Sequence, residues 1–180
     1  MRASSTPRSI GIAVLLLSGL SVAAPPPVHG QVTFTAHGPA GLKIAGHSSA
    51  LSVKEDDRAL SFTLELATLE TGIEVRDRHM RDDLQVQTFP TAELRIDRGR
   101  LQMPPHGGQV KGTCPGALTL HGQSHDVAVS YEARSGHGYE VSGSFQIDLR
   151  DYGIAPPTYL GVSVKPDVQV VADLHLDIPE

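Results

Sequence analysis

The chain has 180 residues, with 15 Lys+Arg against 20 Asp+Glu and a formal net charge of −5. It carries no basic block and no Trp, so it lacks the phosphate-neutralising charge and the stacking surfaces of a nucleic-acid binder. Its single cysteine excludes an internal disulfide.

The first segment reads as a targeting signal. Arg2 and Arg8 precede a mostly apolar run over residues 10–24, Pro25-Pro26-Pro27 ends it, and Val28-His29-Gly30 offers small residues before a cut ahead of Gln31. The run is shorter than the ~20 apolar residues of a spanning helix. Residues 1–30 are therefore expected to be a Sec-type secretory signal peptide, and the protein to be periplasmic or secreted. With no Cys at the cut and no adjacent Arg pair, neither lipid attachment nor the twin-arginine route is expected. Residues 31–180 form one domain, long enough for a real core.

A two-residue period then recurs. It runs through Val32-Thr33-Phe34-Thr35-Ala36, through Leu42 and Ile44, and through Leu51 and Val53. Phe62, Leu64 and Leu66 face opposite to Ser61, Thr63 and Glu65. Residues 69–90, LETGIEVRDRHMRDDLQVQTFP, break the alternation. Thr71 with Glu74 fits a capping box. A short, mostly solvated helix is expected, with Val75, Met80 and Leu84 reaching a core and Arg76, Asp77, Arg81 and Asp82 making local ion pairs. Alternation resumes at Leu94 and Ile96. It continues over residues 110–120 as one long strand or two short ones, then at Val127, Val129 and Tyr131, with a turn expected at Gly122-Gln123-Ser124. Val141, Phe145 and Ile147 follow. Val168, Val170, Ala172, Leu174 and Leu176 close the series.

About eight strands with hairpin-sized loops and one inserted helix predict an all-β fold. Sandwiches alternate too, but one-faced alternation in nearly every strand fits a closed antiparallel up-and-down barrel better. Small inward residues, Gly112, Gly143 and Ala172, leave room inside; composition alone does not distinguish a cavity from a packed interior. The loop at residues 151–161 places Tyr152, Ile154, Tyr159 and Leu160 either to cap one barrel end or to line an entrance.

Little in the chain reads as catalytic. Cys114 reads as a small buried hydrophobe. His121 and His125 flank a turn without an acidic or Cys partner, His106 and His137 sit in Gly-rich turns, and no metal site is expected. His79 lacks a nucleophile context. It reads as a hydrogen bond fixing the helix over the barrel mouth, with a ligand headgroup contact, shared with Arg76, as the next alternative.

Several ordered motifs resemble the YceI-like family of periplasmic lipid-binding proteins. They are Thr71-Gly72, Arg76-Asp77, His79-Met80-Arg81 and Phe89-Pro90, then residues 116–122 (GALTLHG), Phe145-Gln146-Ile147 with Tyr152-Gly153-Ile154, and residues 164–168 (VKPDV). The family's extra opening strand with its His-Ser pair is missing. The resemblance implies a lipocalin-like barrel holding a polyisoprenoid or isoprenoid quinone for transport or storage, with no other cofactor, no enzymatic activity and transient membrane contact. By parity, the expected wall is Phe62, Leu64, Leu66, Leu94, Ile96, Val127, Val129, Phe145, Ile147, Val168 and Val170. The alternatives are a packed stress-response module with a protein partner and a His79-dependent enzyme. The oligomeric state is open; a dimer fits the shortened start.

Overall fold

The computed structural model describes residues 28–159 and 162–177. Most of the expected signal segment and Leu160 lie outside them. The strands are β1 (Val28–His37), β2 (Lys43–Ser48), β3 (Leu51–Glu55), β4 (Ala59–Glu65), β5 (Thr91–Asp97), β6 (Gln109–Leu120), β7 (Gln123–Ser135) and β8 (Gly138–Asp148). The short β9 (Thr158–Tyr159) and β10 (Val162–Ser163) pair with each other, and β11 (Asp167–Asp177) ends the series. Helix α1 (Glu74–Asp83) interrupts β4 and β5. The expected cut ahead of Gln31 falls inside β1, because Val28, His29 and Gly30 already pair with Leu176, His175 and Leu174.

Nine strands form one antiparallel sheet in the order β2-β1-β11-β8-β7-β6-β5-β4-β3. The sheet curls into a nearly closed barrel, as alternation predicted, with nine strands rather than eight. β2 covers residues 32–37 of β1, and β3 packs beside the rest. At this seam Gly30 packs closely on leucine side chains: a Cβ would stand 2.9 Å from the Leu174 Cδ2 and 3.0 Å from the Leu51 Cδ2. β2 and β3 share no ladder. Instead His47 bridges to Glu70, with backbone N–H···O distances of 2.9 and 3.0 Å.

Alternation becomes burial along each strand. In β7, Val127, Val129, Tyr131 and Ala133 are buried between exposed Asp126, Ala128, Ser130 and Arg134. Residues 109–120 make one strand, not two. β5 pairs with β6 only at residues 93–95 with 117–119. Pro115, with no N–H to donate, lies just beyond. The β6–β7 turn is His121-Gly122, with φ of 51° and 73°, the left-handed pair that a two-residue hairpin requires. It precedes the expected position because Gln123 and Ser124 already pair with Leu120 and Thr119.

The strand directions place four connections at one end: β1–β2, the α1 segment, β6–β7 and β8–β11. The chain from β5 to β6 and the β3–β4 and β7–β8 turns lie at the other. The expected capping box does not form. Ile73 is the N-cap, without a side-chain bond. Gly72, at φ 78°, turns Thr71 so that its N–H and hydroxyl donate to the Asp77 carboxylate.

Candidate functional site

The barrel interior is hollow, which sets aside the packed alternative. An apolar cavity of about 870 Å³ runs its length, near the top of the roughly 300–1,000 Å³ range of small-molecule sites. Small residues leave that space. A Cβ at Gly143 would meet nothing nearer than Val129 at 3.7 Å, and Gly143 and Ala172 both line the cavity. Gly112 does not contribute, because the Tyr131 ring fills its place, 3.0 Å from where a Cβ would sit.

Phe62, Leu64, Leu66, Leu94, Ile96, Val129, Phe145, Ile147, Val168 and Val170 face this space, together with Arg76 and His79. Val127 is the exception. It is buried in the same core with the right parity, but it is not part of the cavity wall. The expected wall omitted Val32, Phe34, Ile44, Leu51, Val53 and Tyr131, all lining residues. Their signal was the same alternation, in strands already recognised.

The polar lining is segregated. Thr71, Arg76, His79, Asp83 and Thr158 stand at the α1 end. Tyr131, deeper in, is satisfied by accepting from the Gln102 N–H at 2.9 Å. Arg76 is directed by Thr71: its Nε donates to the hydroxyl at 2.7 Å and its Nη2 to the carbonyl at 2.9 Å. Arg81 holds α1 to the preceding loop, donating from Nε to the Ala67 carbonyl at 3.0 Å and from Nη2 to that of Leu69 at 3.3 Å. In place of the expected ion pairs, Arg76 and Asp77 bond to Thr71 and Arg81 to backbone carbonyls. His79 does not fix the helix; it is exposed at the cavity mouth. Partial burial raises the Asp83 carboxyl above its ordinary value, with nearby His79 opposing and Asp82 reinforcing the shift.

Val75, Met80 and Leu84 all border the cavity, but Val75 is 49% exposed. The exposed large apolar side chains among the described residues are Val75, Leu42, Ile73 and Met103. All four border this cavity. Met103 belongs to the β5–β6 connection at the far end; the other three stand at the α1 end. This end carries no basic excess. Residues 37–43, 65–91, 120–123 and 148–167, the connections with the strand residues that flank them, hold six basic side chains (Lys43, Arg76, Arg78, Arg81, Arg150, Lys165) and nine acidic ones (Glu65, Glu70, Glu74, Asp77, Asp82, Asp83, Asp148, Asp151, Asp167).

Outside the cavity, Cys114 is buried and its thiol is pushed up by that burial. In the β8–β11 connection Tyr152 and Ile154 are buried, and of the two Ile154 lines the cavity; the Tyr159 side chain is outside the described residues. His121 and His125 do not converge on a common point. His121 Nδ1 donates to the Tyr152 carbonyl at 3.0 Å and its ring meets Phe89, while His125 packs on the Tyr152 ring. Among the described residues no three His, Cys, Asp or Glu side chains converge as metal ligands, and no helix is long and apolar enough to cross a membrane.

The sequence profile of the YceI-like domain matches residues 26–176. No curated protein matches the chain by sequence. Among solved structures, a polyisoprenoid binding domain from Saccharophagus degradans implicated in plant cell wall breakdown is similar in fold, with a TM-score of 0.70 and 16% identity, covering 83% of this chain and 94% of its own. BcnA of Burkholderia cenocepacia gives a TM-score of 0.65 at 19% identity, over 81% and 95%. The Campylobacter jejuni YceI protein gives 0.51 at 18%, over 97% and 94%.

Proposed function

Because the chain belongs to the YceI-like family, we propose that it is an exported, periplasmic carrier or store for a polyisoprenoid lipid such as an isoprenoid quinone, and not an enzyme. The apolar cavity of about 870 Å³, with its charged lining residues at one end only, carries this reading. An isoprenoid chain is insoluble, and its burial contributes roughly 25 cal/mol per Å² of apolar area. The tail lies among Phe62, Leu94, Phe145 and Val170. The headgroup faces Arg76 and His79, where hydrogen-bonding groups remain available. The fold of the Saccharophagus relative, a polyisoprenoid binding domain, supports the ligand class.

The test is mass spectrometry of an organic extract from protein purified without detergent. A near-stoichiometric isoprenoid is expected. Gly143→Leu, which adds bulk where only Val129 is near, is expected to fold and to lose most of that lipid. An empty extract that stays empty after labelled isoprenoid quinones are supplied overturns the proposal.

A further inference from the structure

We infer that the α1 end of the barrel docks on a phospholipid bilayer, with Leu42, Ile73 and Val75 entering the interface. Exposed apolar residues scattered singly over a surface are ordinary, but a cluster continuous with a cavity is not. Leu42, Ile73 and Val75 are 43%, 52% and 49% exposed. They come from two separate segments, the β1–β2 connection and the start of α1. They stand at one end of the barrel and line the same apolar space.

A bilayer is the occupant that matches this face. Its hydrocarbon offers apolar contact to the rim and, through the rim, to the cavity without a break. This end has nine acidic side chains to six basic ones, on a chain of net charge −5, so anionic headgroups do not draw it in and the bilayer it fits is a neutral one. Without a basic excess, the end binds through apolar insertion, and neutral lipid suffices. The direction of cargo transfer through this end rests on the carrier reading; the docking does not.

The absence of Trp provides a local test. Ile73→Trp and, separately, Met103→Trp place a single indole at the docking end or at the opposite end, both at exposed positions. Each variant is mixed with phosphatidylcholine vesicles, plain and brominated in the acyl chains. The Ile73→Trp emission is expected to shift to the blue and to be quenched by the brominated lipid; that of Met103→Trp is expected to do neither. Adding Leu42→Ser and Val75→Ser to Ile73→Trp is expected to weaken the vesicle partition about tenfold or more.

A silent indole at position 73, an equal response at position 103, or insertion confined to anionic vesicles overturns the inference. So does a blue shift that needs no vesicles and grows with protein concentration, which assigns the face to a second copy. The lipid extract is an independent readout. A lipid-loaded barrel with a silent indole removes the docking and leaves the carrier reading; an empty barrel with a quenched indole does the reverse.

Discussion

Asp77 is the buried charge of α1. Burial raises its carboxyl, but the hydroxyl and N–H of Thr71, with Arg81 and Arg76 nearby, outweigh that and hold it below the ordinary range. A carboxyl lowered in the folded state contributes stability above its unfolded value, and that stability is lost as pH falls through the folded value. Asp77→Ala is expected to lower stability at neutral pH by about 1–3 kcal/mol in urea titrations, since two donors lose their acceptor. The difference from the parent protein is expected to shrink as pH falls below about 4. The sequence displayed Thr71 and Asp77 but suggested the wrong partnership. A capping box joins residues three positions apart, whereas Gly72 at φ 78° redirects Thr71 to a residue six positions on. Arg76 and His79 were legible as mouth residues; that Thr71 orients only Arg76 was not.

The helix was visible because its charges broke a two-residue period, and its cavity-facing residues Met80 and Leu84 were visible by spacing. Its attachment was not, since Arg81 binds carbonyls, which carry no residue identity. A helix with so little apolar burial depends on such polar ties. Arg81→Ala is expected to speed amide hydrogen exchange in α1, leaving the β6, β7 and β8 amides protected as before. If α1 retains the cargo, lipid transfer to acceptor vesicles is also expected to accelerate. Protection of α1 unchanged in the variant would show that Arg81 is not its anchor.

For the barrel as a whole, parity revealed which residues face inward, but not whether opposite walls meet. That depended on particular pairs of neighbours. Gly112 looked like open space and is filled by Tyr131, while Gly143 and Ala172 stay open. Val127 has inward parity and is buried, yet it is not part of the cavity wall. A hollow core makes stability depend on cargo. A lipid that binds only the folded barrel adds about 2.7 kcal/mol at one hundred times its dissociation constant. Delipidated protein is therefore expected to melt at a lower temperature, and resupplied lipid to restore it in a concentration-dependent way by differential scanning calorimetry. A melting temperature indifferent to extraction and resupply would contradict this.

The β1–β11 ladder, from Val28↔Leu176 to Ala36↔Val168, joins the first strand of the described chain to the last. The pairing has a consequence in time. During synthesis β1 precedes the other strands and has a ladder partner only in the short β2 until β11 follows, so the ring cannot close before β11 has been made. Contacts of such long sequence separation also slow closure, because the loop entropy is lost before the ladder repays it. Closure of the ring is thereby deferred until β11 has been made, and the strands before it wait as an open sheet.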